Sequence, residues 1–294
     1  MLTGAYTALV TPFTKTGKVD KPRLRELVEH QISAGIDGLV PCGTTGESPT
    51  LSHEEHNHVI EMVAQIAAGR CKIIAGTGSN STDEAISMTR YAKAAGADAS
   101  LQVAPYYNKP TQAGLYAHFR AIAEAADLPM ILYNIPGRCG VDIANDTMAK
   151  LRRDLPGLII GLKEATGNVD RVSQLRAMVD RDFCILSGDD SLTLPMMSVG
   201  AVGVISVATN IMPREVTEMV HAALKGDFER AGRIHTKLYP LFKDLFIETN
   251  PVPVKAALAM TGQIEESYRL PLVPMSDANK AQLRKTLAAL GLVK

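Results

Sequence analysis

Short apolar runs recur as far as residue 225, each followed by a segment of helical periodicity, and this alternation most narrows the folds open to the chain. The runs read as strands at Tyr6–Val10, Asp37–Val40, Lys72–Ala75, Ala99–Ala104, Met130–Tyr133, Leu158–Lys163, Phe183–Leu186 and Gly203–Ile205. Between them, start signals mark the helices. Asp20 with Pro22 opens one that ends near Gly35, and Ser52 with Glu55 and Ser81 with Glu84 have the spacing of capping boxes. Further helices are expected over Leu115–Ala126, Ile143–Arg152, Val169–Val179, a short stretch through Leu194–Met196, and 213–225. Eight strands alternating with eight helices at about 25-residue spacing predict a (β/α)8 TIM barrel, with an open doubly wound sheet as the alternative.

Beyond Gly226 the pattern is helical alone, over Phe228–Ile247, Val254–Met260 and Ser276–Leu290. The expected division is a barrel over 1–225 and a helical extension over 226–294, packed on the barrel or on another subunit. Hydrophobic residues make up 46% of the 294 and charged residues 21%, which suits a large α/β core. Lys and Arg together number 31, as do Asp and Glu, so no net charge points to nucleic acid or a membrane surface as partner. Cys42, Cys71, Cys139 and Cys184 are scattered without a CxxC pair, and no leader or membrane-spanning run is visible. A cytoplasmic protein with reduced thiols and a small-molecule ligand is the expectation.

In a barrel the active site lies where the strands end. Those positions hold Gly43-Thr44-Thr45-Gly46-Glu47, Tyr106-Tyr107-Asn108, Tyr133-Asn134-Ile135-Pro136-Gly137-Arg138, Lys163-Glu164, Gly188-Asp189-Asp190 and Ser206. Lys163 closes an unbroken apolar run. It is either a solvated amine that ends the strand or a desolvated one able to attack a carbonyl as the free base. Thr44 and Thr45, between glycines, suit an ordinary turn or a carboxylate or phosphate cradle; without a Gly-Lys-Ser/Thr sequence the loop is no P-loop. Tyr133 is a half-buried strand residue or a proton shuttle beside Lys163, and Arg138 a surface arginine or a carboxylate clamp. Asp189 and Asp190 fit helix capping better than metal binding, and His53, His56 and His58 fit a solvated helix start unless they serve a second ligand site. One strand-end lysine among hydroxyls and an arginine, with no metal constellation, suits Schiff-base chemistry on a keto acid.

Gly43-Thr44-Thr45-Gly46-Glu47, Tyr133-Asn134-Ile135-Pro136 and Gly161-Leu162-Lys163-Glu164-Ala165-Thr166-Gly167-Asn168, in that order and spacing, resemble the dihydrodipicolinate synthases of the N-acetylneuraminate lyase superfamily. The resemblance spans essentially the whole chain. It implies an enzyme of diaminopimelate and lysine synthesis that condenses pyruvate with aspartate 4-semialdehyde without a cofactor or metal. By matching position, Lys163 is the Schiff-base lysine and Tyr133 the proton-relay tyrosine, with Thr44 and Tyr107 as relay partners. Tyr107 is expected to reach a neighbouring subunit's site in a homotetramer built as a dimer of dimers. Thr45 matches the holder of the pyruvate carboxylate and Arg138 that of the semialdehyde carboxylate, while Gly188 and the Ile205 carbonyl line the pocket. Ser48, His53, His56, Asn80, Glu84 and Tyr106 match a site for lysine as feedback inhibitor. Thr44 and Arg138 argue against the sugar-acid aldolases of the superfamily, and the intact lysine, tyrosine and threonine set against a non-catalytic sensor barrel. Cys139 departs from the family's usual threonine.

Overall fold

The computed structural model describes residues 2–294. Its strands are β1 (Gly4–Ala8), β2 (Gly38–Val40), β3 (Lys72–Gly76), β4 (Ala99–Val103), β5 (Met130–Asn134), β6 (Ile159–Glu164), β7 (Cys184–Ser187) and β8 (Gly203–Ser206). All neighbours pair in parallel in chain order, and β8 returns to β1 with Gly4 opposite Gly203 and Thr7 opposite Ser206. That last pairing closes the barrel and excludes the open sheet.

The helices are α1 (Lys21–Ser33), α2 (His53–Ala67), α3 (Thr82–Ala94), α4 (Gln112–Ala126), α5 (Pro136–Cys139), α6 (Asn145–Asp154), α7 (Val169–Arg176), α8 (Thr193–Ser198), α9 (Pro213–Leu224), α10 (Phe228–Asp244), α11 (Val252–Met260) and α12 (Asp277–Ala289). Each of the long helices around the barrel buries one stripe. On α2 the stripe includes Val59, Ile60, Val63 and Ile66, and each such side chain contributes about 1.5–3 kcal/mol through lost apolar exposure. The capping box at its start is complete: the Ser52 hydroxyl accepts from the Glu55 amide at 3.1 Å, and Glu55 accepts from the Ser52 amide at 3.0 Å.

Three expectations need correction. β1 lies two residues earlier than its apolar pattern suggests, because pairing with β8 begins at Gly4, while Val10 has left the sheet to donate to Asn210 Oδ1 at 3.2 Å. The box at Ser81 is only half formed, since the Glu84 carboxylate takes the Ser79 hydroxyl at 2.8 Å instead of returning to the Ser81 amide. The turn α5, which carries Arg138, was not expected, and α6 starts at Asn145 rather than Ile143.

After α9 the chain forms α10, which packs on α9, and then α11 and α12, which pack on each other. The segment between α10 and α11 passes over the C-terminal ends of the strands, where Asn250 meets the β2 loop. No helix among the described residues is long and apolar enough to cross a membrane.

Candidate active site

β6 is buried along most of its length, and its register sets Lys163 beside Tyr133 on β5 and Leu186 on β7. Parallel strands with both faces covered accept apolar runs, so the run before Lys163 serves to carry one amine into the barrel mouth. Lys163 is 6% exposed, and its Nζ lies 4.2 Å from the centroid of the Tyr133 ring. Burial pulls its pKa down to about 7; the negative charge of Asp190 opposes that fall and the positive charge of Arg138 adds to it. The amine is therefore a free base for a large part of the time near neutrality.

The Tyr133 hydroxyl is buried too, and desolvation pushes its pKa up to about 12 against a hydrogen bond with Thr44 and the charge of Arg138. Thr44 sits in a tight turn in which the Gly46 and Glu47 amides donate to the Gly43 and Thr44 carbonyls, each at 3.1 Å. The amides of Thr44 and Thr45 make no hydrogen bond among the described residues, which leaves two donors beside two hydroxyls. Thr45 is buried, and its Oγ1 accepts from Asn250 Nδ2 at 3.0 Å. That bond occupies a lone pair and leaves the hydroxyl hydrogen to donate elsewhere.

Gly188 follows β7 directly and lies against the lysine: a Cβ there would stand 2.7 Å from the Ala165 Cβ and 3.1 Å from Lys163 Cε, so only glycine leaves room for the side chain. Ile205 is buried in β8, one residue before Ser206. Arg138, exposed on α5, donates to the Asn250 carbonyl at 3.1 Å. It lines a cavity of about 280 Å³ with Thr44, Ser48, Tyr106, Cys139 and Asn250. Burial raises the Cys139 thiol to about 11, so it serves as a neutral wall of that cavity.

The structure thus brings Lys163, Tyr133, Thr44, Thr45, Arg138 and Gly188 to one end of the barrel. Tyr107 does not join them within the chain: it has a positive φ of 73°, is 89% exposed and makes no side-chain hydrogen bond among the described residues. Of the six residues matched to a lysine site, Ser48 and Tyr106 share the cavity, and Asn80 Nδ2 donates to the Tyr106 carbonyl at 3.1 Å. Glu84 is held by Ser79, and His53 is exposed. His56 is not on a solvated face: it is 5% exposed, with Nε2 2.8 Å from the Gly76 carbonyl, and desolvation lowers its pKa.

Capping describes Asp189 alone, which accepts from the Ser191 and Leu192 amides. Asp190 is buried and receives the Ser206 hydroxyl and the Val207 and Ala208 amides, the latter two at 3.0 and 3.1 Å. It ties the end of β7 to the end of β8, and burial raises its pKa to about 6. Asn250 was missed as well. Its only signal in the sequence was a Thr-Asn-Pro break between helices of the extension.

A profile of the Dihydrodipicolinate synthetase family matches residues 1–290. The 4-hydroxy-tetrahydrodipicolinate synthase of Aquifex aeolicus strain VF5 is 55% identical over 287 residues, covering 98% of this chain and 97% of the relative. That of Nitratidesulfovibrio vulgaris strain DP4 is 52% identical over 291 residues, covering 99% of each. The crystal structure of the Aquifex aeolicus dihydrodipicolinate synthase superposes with a TM-score of 0.97 at 54% identity and 99% coverage of both chains. Similar agreement holds for the Acinetobacter baumannii enzyme complexed with pyruvate (TM-score 0.97, 46% identity, 100% of both chains). It also holds for the Cyanidioschyzon merolae enzyme with lysine bound (TM-score 0.96, 45% identity, 99% of both chains). With a closed barrel, a buried strand-end lysine and full-length similarity at this level, the chain belongs to the Dihydrodipicolinate synthetase family.

Proposed function

We propose that this chain condenses pyruvate with aspartate 4-semialdehyde to give 4-hydroxy-tetrahydrodipicolinate, the reaction for which its relatives are named, on the way to diaminopimelate and lysine. The observation that carries the reading is the buried Lys163 amine, its pKa brought to about 7, against the ring of Tyr133. Lys163 Nζ adds to the pyruvate ketone, and loss of water leaves an imine. Once protonated, that imine draws electrons from the methyl group, a methyl proton departs and an enamine forms. Tyr133, with Thr44, moves the protons. The enamine carbon bonds to the aldehyde carbon of the second substrate, whose own amine then attacks the imine carbon, closes the ring and releases Lys163.

The other assignments follow from charge and position. Thr45 and the free amides beside it take the pyruvate carboxylate, Arg138 takes the carboxylate of the semialdehyde, and Gly188 and the Ile205 carbonyl border the pocket. Tyr107, exposed in its own chain, serves the site of a second copy in a dimer, with a homotetramer as the full assembly. Ser48, His53, His56, Asn80, Glu84 and Tyr106 form a lysine site with the second copy. The division into a barrel over 1–225 and an extension over 226–294, and a place in the cytoplasm, belong to the same reading.

Borohydride reduction with pyruvate tests it. The expected result is a mass gain of one reduced pyruvyl group, mapped to Lys163, together with turnover when the semialdehyde is supplied. A chain that gains no adduct at saturating pyruvate has no Schiff-base chemistry, and the proposal falls.

A further inference from the structure

A fully buried pair of opposite charges joins the β2 loop to the helical extension. Lys255 on α11 and Glu47 at the end of the β2 loop form an ion pair in which both side chains are 0% exposed. The ammonium donates to Glu47 Oε1 and stands 4.2 Å from the Phe13 ring centroid and 5.4 Å from that of Tyr268. Glu47 Oε2 accepts from the Arg269 amide at 3.3 Å. The Arg269 guanidinium holds both carboxylate oxygens of Glu55, at 2.6 and 2.7 Å, and the carbonyls of Gly17 and Thr50. One cluster therefore joins the loops after β1 and β2 to the helical extension.

Stability is a poor account of such a pair. Taking two ions out of water costs about as much as their attraction returns, and well-packed apolar side chains of the same volume would serve folding as well. Geometry is a better account. Glu47 has a left-handed backbone, φ 54°, and its amide closes the turn onto the Thr44 carbonyl at 3.1 Å. The turn has glycine on both sides of Thr44 and Thr45, so its shape depends on its own backbone hydrogen bonds and on the groups that hold it from outside, among them the Thr11 hydroxyl, which donates to the Gly46 carbonyl at 2.7 Å. The extension grips it twice, through Lys255 on Glu47 and through Asn250 on Thr45.

We propose that Lys255 is a positioning residue for the condensation: its ion pair with Glu47 locks the turn that presents Thr44 to the Tyr133 hydroxyl and Thr45 to the pyruvate carboxylate. The helical extension is then a working part of the site. This inference rests on the function proposed above.

The test compares Lys255→Met, Glu47→Gln, the double variant and Lys255→Arg in the full chain. In the variants without the pair, the KM for pyruvate rises about tenfold or more with a smaller fall in kcat, and the alkaline limb of the pH profile of kcat moves because the Thr44 contact with Tyr133 loosens. Hydrogen exchange over 43–50 quickens while 159–164 keeps its protection, and Lys255→Arg recovers part of each loss. The single variants leave an orphan buried charge and lower Tm. The double variant leaves none, so it regains Tm without regaining the KM, and it is the one read if a single variant fails to fold. A folded double variant with parental KM, pH profile and exchange overturns the proposal. If the parent itself traps no pyruvate, the reaction assignment fails, and the exchange measurement still decides whether the pair holds the turn.

Discussion

Lys163 loses its proton for a physical reason that makes its chemistry measurable. Only the neutral amine attacks a carbonyl, so the initial rate of imine formation should rise with pH through about 7 and level above it. Trapping rates between pH 5.5 and 9 check this; a rise that begins only near the ordinary lysine range contradicts it. The same shift affects stability. A base whose pKa is lower in the folded state opposes folding most below the folded value, and the penalty fades as pH climbs toward the unfolded value of about 10.4. Lys163→Met should therefore gain a few kcal/mol over the parent near pH 6 and lose the advantage above pH ~10, as read in thermal unfolding across pH. Roles separate at this scale too. Lys163→Ala should abolish trapping, whereas Arg138→Ala should keep it and raise the KM for the semialdehyde about a hundredfold, the loss of a charge-assisted pair. Equal loss of both activities in Arg138→Ala would refute the division.

At the scale of elements, the strand ends are held by contacts between loops. Asp190 bridges the ends of β7 and β8, and its charge raises the pKa of Lys163. Asp190→Asn should thus move the midpoint of imine formation to lower pH, and a shift upward would show that the carboxylate acts otherwise. Gly188→Ala places a methyl group against Lys163 Cε and the Ala165 Cβ. It should cost about 1–3 kcal/mol in denaturant unfolding and slow trapping by displacing the amine. The α2 capping box was legible as a local spacing and forms as expected, because the hydroxyl, amide and carboxylate involved lie within one turn. The box at Ser81 failed because Ser79 offered Glu84 a competing partner that the four-residue pattern does not include.

For the whole molecule, the feature with the largest consequence is Tyr107, left exposed in a backbone conformation unusual for a tyrosine. If it completes a second copy's site, mixing Lys163→Ala with Tyr107→Phe subunits should restore activity at about a quarter of the sites, because half of the randomly formed dimers then hold one intact set. Mixtures of the two variants that stay as inactive as their components would show that Tyr107 does not act across the subunit boundary. Sedimentation of the parent should give a mass of several chains. The extension acts at this scale as well, since it reaches back across the barrel mouth to hold both Thr45 and Arg138 through Asn250.

The sequence by itself determined the alternation of strands and helices and the strand-end positions of Lys163, Tyr133, Thr44, Thr45, Arg138 and Gly188, while the pairing of β8 with β1 decided the barrel against the open sheet. The first two depend on patterns of a few residues and on the rule that such barrels work at one face. Only the tertiary structure decided which groups those residues meet. Glu47 and Lys255 are 208 positions apart, and Thr45 and Asn250 are 205 apart, so no local pattern joins them. Nor could composition show that His56 and Asp190 are buried, or how far burial lowers the Lys163 pKa. Desolvation is set by everything that surrounds a group, and most of what surrounds these groups comes from distant parts of the chain.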